Sequence, residues 1–311
     1  MLRAFPKKPC GCFSMMNKQV MIALVSLFVL LVGVAVMWRG VDAATDASRD
    51  EVLVRYVLPE GLPAVFTAGA SGDATGDYEA AIELHEQHKH DLRGKSPPAE
   101  VVGKLRSQLV TAAKKATVAQ GFLDQRIPLV PGASTEYGDA PTKIASVVLG
   151  NLKGLKEVDQ VRAARAVFAF GQRIYEENVR ISARRAGLMV MTSAGLTLES
   201  LLKGAERDAV TQWINSISKL LDKWDEKLKA IHQMAGNAGD LIRFANRDGD
   251  LGFRVEAMLQ LGMAQYLTDS GNNRRAIRNA LSDNVNSPEP MLAKAATAAL
   301  NFTREQVRQV R

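Results

Sequence analysis

Hydrophobic and polar positions follow a different rule in each part of this chain. From Gln19 to Trp38 no residue is charged. As a helix rising about 1.5 Å per residue, that run is long enough for a hydrocarbon core of about 30 Å. It predicts a lipid-facing transmembrane helix with Leu24, Phe28 and Leu31 inside and Gln19 and Trp38 at its ends. Glu51 to Leu58 is β-branched and predicts a short strand ended by Pro59. Ala68 to Asp77 is Gly-rich and reads as a linker, because it lacks the Lys and the spacing of a phosphate-binding loop.

Beyond residue 76 the period becomes helical. Asp77 to Leu92 predicts one helix, and Ala99 to Gln120 a second. The second has Ser96 as its cap, Pro in its first turn, and Val102, Leu105, Leu109, Ala112 and Ala116 on one face. Phe122 to Pro141, rich in Pro and Gly, reads as a long loop. Two narrow stripes follow: Val161, Ala164, Phe168, Gly171, Tyr175, and then Val210, Ile214, Ile217, Leu221, Trp224, Leu228, Ile231, Ala235. Spacing of three and four makes a seam for a partner helix. The small first stripe, with Ala164 and Gly171, is expected to receive Leu221 or Trp224 in an antiparallel pair. Gly187 to Leu202, between them, is read as core with Thr197 as a helix cap, and Arg180, Arg184 and Arg185 as a solvated face.

The expected fold is therefore all-α: a transmembrane helix followed by helical hairpins stacked as in an α-solenoid. Its predicted parts are a basic leader (1–18), the membrane helix (19–38), a linker (39–76), a helical segment with its long loop (77–141), a long-helix region (142–239) and a C-terminal helical pair (240–311). Composition agrees, since aromatics make up only 6% of the chain, which favours helices packed through small side chains.

Charge changes the picture once it is located. The net +7 would suggest nucleic acid, but Arg3, Lys7, Lys8, Lys18 and Arg39 supply most of it with no acid before residue 42. The remainder is close to neutral, so nucleic acid is not an expected partner. Basic residues ahead of the apolar run predict a cytoplasmic N-terminus and an exported bulk at the cell membrane. The alternative is a signal cleaved after Ala43, at Val41-Asp42-Ala43, giving a secreted or periplasmic protein. Both cysteines, Cys10 and Cys12, precede the apolar run, so the exported part is expected to fold without disulfides.

Candidate chemistry is sparse. His85 and His88 share a helix face among carboxylates and are the candidate metal ligands, but His85-Glu86-Gln87-His88 is one residue short of the zinc-protease H-E-x-x-H spacing. A solvated, charged helix end explains the same residues. No G-x-S-x-G nucleophile turn occurs. Asp248-Gly249-Asp250 lacks the glycine and the twelfth-position Glu of a calcium loop. No cofactor or catalytic residue is implied.

Two stretches resemble known repeats. Gly76-Asp77-Tyr78-Glu79-Ala80-Ala81-Ile82 resembles the middle of a tetratricopeptide repeat, as a single fragment. From Asp240, two segments align at an offset of 39 residues. Asp240 to Asp248 then Phe253 to Gly262 matches Ile277 to Asp283 then Leu292 to Asn301. This resembles a pair of HEAT-like repeats. Arg254 stands where that family's second helix commonly starts with Arg, whereas Ala293 replaces it in the second copy. The resemblance implies protein recognition through stacked helices, with Arg254, Arg278 and Trp224 as interaction candidates. The expected function is that of a membrane-anchored scaffold or interaction module outside the cytoplasm, touching the bilayer, a protein partner, or a second copy through its heptad-like seam. The alternative is a metal-binding or enzymatic envelope protein using His85 and His88.

Overall fold

A computed structural model describes residues 71–94, 97–130, 136–303 and 305. They belong to one compact unit, Arg55–Arg311. The predicted membrane helix, the strand at 51–58, the cleavage position at Ala43 and both cysteines lie outside the described residues. Within them, no helix is long and apolar enough to cross a membrane.

The described residues are all-α, with ten α-helices and no strand. In chain order these are α1 (Thr75–Gln87), α2 (Ala99–Ala112), α3 (Glu136–Gly150), α4 (Glu157–Glu177) and α5 (Ile181–Leu201), then α6 (Gly204–Met234), α7 (Ala238–Arg247), α8 (Leu251–Leu267), α9 (Gly271–Asn284) and α10 (Pro290–Leu300). Several start at side-chain caps that offset unmet N–H groups: Asn237 for α7, Asp250 for α8 and Ser270 for α9. Pro290 opens α10, where its missing N–H costs nothing.

Helix α5 forms the centre, packed against α3, α4 and α6. It buries Ala183, Leu188, Val190, Met191, Ala194 and Leu198 completely, so one side of the 187–202 stretch is core while Met189 and Leu196 are exposed. Thr197 sits inside the helix and bonds back to the Ser193 carbonyl at 3.1 Å instead of capping. The expected α4–α6 seam gives way to an α4–α5 crossing. Gly171 and Gly187 let those backbones touch: a Cβ at Gly171 would lie 2.8 Å from the Gly187 carbonyl oxygen. Gly171 therefore receives Gly187 and Met191, and Trp224 packs on Tyr175 and Phe253 instead. Helices α4 and α6 still meet through Phe168 and Trp213, with ring centroids 4.5 Å apart. On α6 the stripe positions Val210, Ile214, Ile217, Trp224 and Ile231 are buried, joined by Trp213 and Leu220, while Leu221, Leu228 and Ala235 are half-buried.

Several boundaries move. The linker ends earlier than 76, because the Ala74 amide donates to Thr117 at 2.8 Å and α1 begins at Thr75. Helix α2 stops at Ala112, where the chain turns to make that contact. The loop after Phe122 ends by Glu136, and Pro141 lies within α3.

The last four helices form two hairpins, α7–α8 and α9–α10, with α7 beside α9 and α8 beside α10. Helix α8 is buried almost all round, and Gly262 lets Ala299 and Phe302 approach it closely.

Candidate functional site

The predicted site residues scatter. His85 is buried, with Nδ1 3.2 Å from Glu86 Oε1, and burial lowers its pKa. His88 lies past the end of α1, its Nδ1 3.4 Å from Asp91. Among the described residues, no group of three or more His, Cys, Asp or Glu is placed to hold a metal ion. Trp224 is fully buried, so as an interaction candidate it is corrected to a core residue. Arg254 Nε donates to the Ala245 carbonyl at 3.1 Å and ties α8 to α7. Arg278 is exposed.

The arginines read as a solvated face are mostly inside. At the α4–α5 junction Asn178 accepts from the Leu123 and Asp124 amides at 2.9 and 3.2 Å. Asp124 in turn accepts from Val179 N at 2.7 Å and Arg180 N at 2.9 Å. Burial pushes the Asp124 carboxyl up, and the two amides pull it back. The Arg180 side chain reaches the carbonyls of Ile127 and Pro128, each at 3.2 Å. One turn on, the Arg184 guanidinium lies 4.7 Å from the ring centres of both Tyr175 and Trp224 and donates to Asp250 at 2.8 Å. Asp250 also caps α8 through Gly252 N at 2.9 Å, so one carboxylate joins α5 to α8. Beside it Lys227 pairs with Asp248 at 2.7 Å and lies over Phe253. The Asp-Gly-Asp turn thus anchors two cations of this chain. Arg185 alone fits the solvated reading, paired in a fork with Asp225 at 2.9 and 3.2 Å.

Beside this cluster a cleft of about 260 Å³ is lined by Asp139, Arg180, Ser182, Met189, His232 and Glu256, among others. His232 Nε2 lies 3.9 Å from Glu256 Oε1, and that carboxylate raises the histidine pKa against the opposing effect of burial. Glu256 also accepts from Gln260 at 3.2 Å. The Ser182 hydroxyl is buried with no hydrogen-bond partner among the described residues.

A second concavity, about 640 Å³, opens where α8 turns into α9, and Gln265, Tyr266, Asp269, Arg274, Arg275 and Arg278 line it. Its polar floor is already engaged: Gln265 Nε2 donates to the Ala299 carbonyl at 3.1 Å and Tyr266 OH to that of Phe302. Its arginines are not so engaged with acids. Arg274 donates to the Asp269 main-chain carbonyl at 3.3 Å, and none of the three arginines has an ion-pair partner among the described residues.

Sequence reasoning missed Asp124, Asn178, Asp250, Glu256 and His232. A signal existed for two: Asp124 follows Phe122-Leu123, and Glu256 interrupts an otherwise apolar helix, where an unpaired acid would be costly. No protein-family model matches this chain, and no curated protein and no solved structure matches it.

Proposed function

We propose that this chain is an interaction module carried on a membrane anchor, with residues 19–38 as the anchor and the helical bundle as the partner-binding part. The observation that carries it is the exposure of α7 and α9. These adjacent helices bury only Ala238, Leu241 and Ala245, and Ile277, Ala280 and Leu281, and Asn284 bonds to Asn246 across them at 3.0 Å. Two adjacent helices with one buried stripe each leave a continuous polar face, the kind of surface that stacked-helix proteins use for recognition. The HEAT-like resemblance supports the same reading. The packed core behind that face supplies the rigidity that low-cost binding needs.

Photo-crosslinking groups placed at Asn272 and Asn279, in the full chain in intact membranes, test this. A small, reproducible set of cross-linked proteins is expected. Background labelling alone, or robust turnover of a small substrate by the purified chain, would overturn it. For the anchor, deletion of 19–38 is expected to move the protein out of the membrane fraction.

A further inference from the structure

The groove at the start of α9 gathers three arginines that have no ion-pair partner among the described residues. Between residues 238 and 303 there are seven basic and seven acidic residues, so this part is neutral as a whole. Four of the seven acids are engaged elsewhere: Asp248 with Lys227, Asp250 with Arg184, Glu256 with His232 and Gln260, and Asp240 with Arg243. Neutrality of the whole therefore produces a local excess at Arg274, Arg275 and Arg278. Spacings of three and four put Arg278 on the same helix face as its two neighbours, one turn away. Asp269 is the one acid among the groove-lining residues, and the contact from Arg274 goes to its carbonyl and not its carboxylate.

We infer that this groove binds an acidic segment of a partner protein, with Arg274, Arg275 and Arg278 each taking a carboxylate. This rests on the interaction-module reading and names the chemistry of its partner. Guanidinium groups match carboxylates in a two-bond fork, and they hold their charge across the physiological range. The three side chains cover about 6 Å of helix, a length that a few residues of extended peptide match. A flat bilayer surface fits a concave groove poorly. A nucleic-acid duplex needs a longer basic track than a neutral hairpin pair supplies.

The test uses the full chain in mild detergent and a short, labelled, glutamate-rich peptide, with its glutamine counterpart as control. Fluorescence anisotropy is expected to show binding of the acidic peptide that weakens with salt. Changing Arg274, Arg275 and Arg278 together to Gln is expected to weaken it by about tenfold or more, the factor that loss of charge-assisted contacts implies. Changing Arg207, Lys223 and Lys229 to Gln removes the same charge from exposed positions of another helix, α6, and is expected to leave binding within about twofold. Where the triple variant fails to unfold cooperatively, Arg278→Gln alone carries the test. Equal loss in the α6 variant, no binding of the acidic peptide, or arginine-dependent binding only to phosphatidylserine vesicles or RNA would overturn the assignment. Cross-linked partners that persist while the peptide fails would overturn the arginine groove alone and leave the interaction module standing.

Discussion

Arg180 to Arg185 and Arg274 to Arg278 are near-equivalents in sequence, three arginines on about one helical turn, and the fold treats them oppositely. In the first group Asp250 and Asp225 meet the guanidinium groups of Arg184 and Arg185, while Asp124 accepts from the Arg180 main-chain amide, and these acids lie 40 to 66 positions away along the chain. The second group meets no acid among the described residues. An arginine cluster thus becomes core or surface according to where distant carboxylates are delivered, and nothing within the cluster announces which. One group holds elements together; the other is free to recognise something else.

The contrast breaks most sharply at Arg184. Replacing it with Met keeps the stacking length between Tyr175 and Trp224 but leaves the buried Asp250 without its cation. A loss of about 3–5 kcal/mol is expected, measured by denaturant unfolding of the purified chain. Adding Asp250→Asn to Arg184→Met is expected to recover most of it, because Asn still caps α8 and no buried charge remains. Failure of that recovery would show that the guanidinium's stacking, not the ion pair, holds α5 to α8.

A smaller effect is expected one turn earlier. Asp124→Asn replaces a two-acceptor carboxylate that faces the amides of Val179 and Arg180 with a group that offers one acceptor. The expected cost is about 1–3 kcal/mol in the same measurement. An unchanged midpoint would mean that the junction between α4 and α5 is fixed by packing alone.

Smaller still, Gln at Arg274, Arg275 and Arg278 is expected to shift stability by no more than about 0.5 kcal/mol, while weakening binding of the acidic peptide by about tenfold or more. Large destabilisation there would erase the distinction between the two clusters.

Local pattern made the fold class legible. Helical spacing found α2, α4 and α6 through their apolar stripes, and the offset of 39 residues found the four C-terminal helices. It did not find α5 as the centre, because a helix buried on most sides has no stripe to read. The narrow stripe of α4, read as a socket for Trp224, is narrow because a backbone lies against it at Gly171. The site was legible at Arg278, which needs nothing distant to be exposed. Asp124, Asp250 and Glu256 were not, because their meaning depends on contacts made across the fold.

The finest contrast is in response to pH. The α9 arginines have no ion-pair partner among the described residues, so binding of a carboxylate peptide is expected to be flat from about pH 6 to 8. The edge of the buried cluster does titrate, through His232. Glu256 raises its pKa above the ordinary value near 6.5, so the folded state holds that proton more tightly than the unfolded chain. The stabilisation is therefore complete below about pH 6.5 and disappears as pH rises through the higher folded value. His85 has the opposite sign: burial lowers its pKa, so its neutral form stabilises the fold above about pH 6.5, and that contribution disappears as pH falls. Both histidines thus change stability around neutral pH in opposing directions. His232→Gln is expected to remove the loss on the alkaline side and leave the acid-side loss from His85, seen as a change in the slope of thermal midpoint against pH. An unchanged slope in that variant would mean that the pair at 3.9 Å is too exposed to matter, leaving the buried cluster as insensitive to pH as the free one.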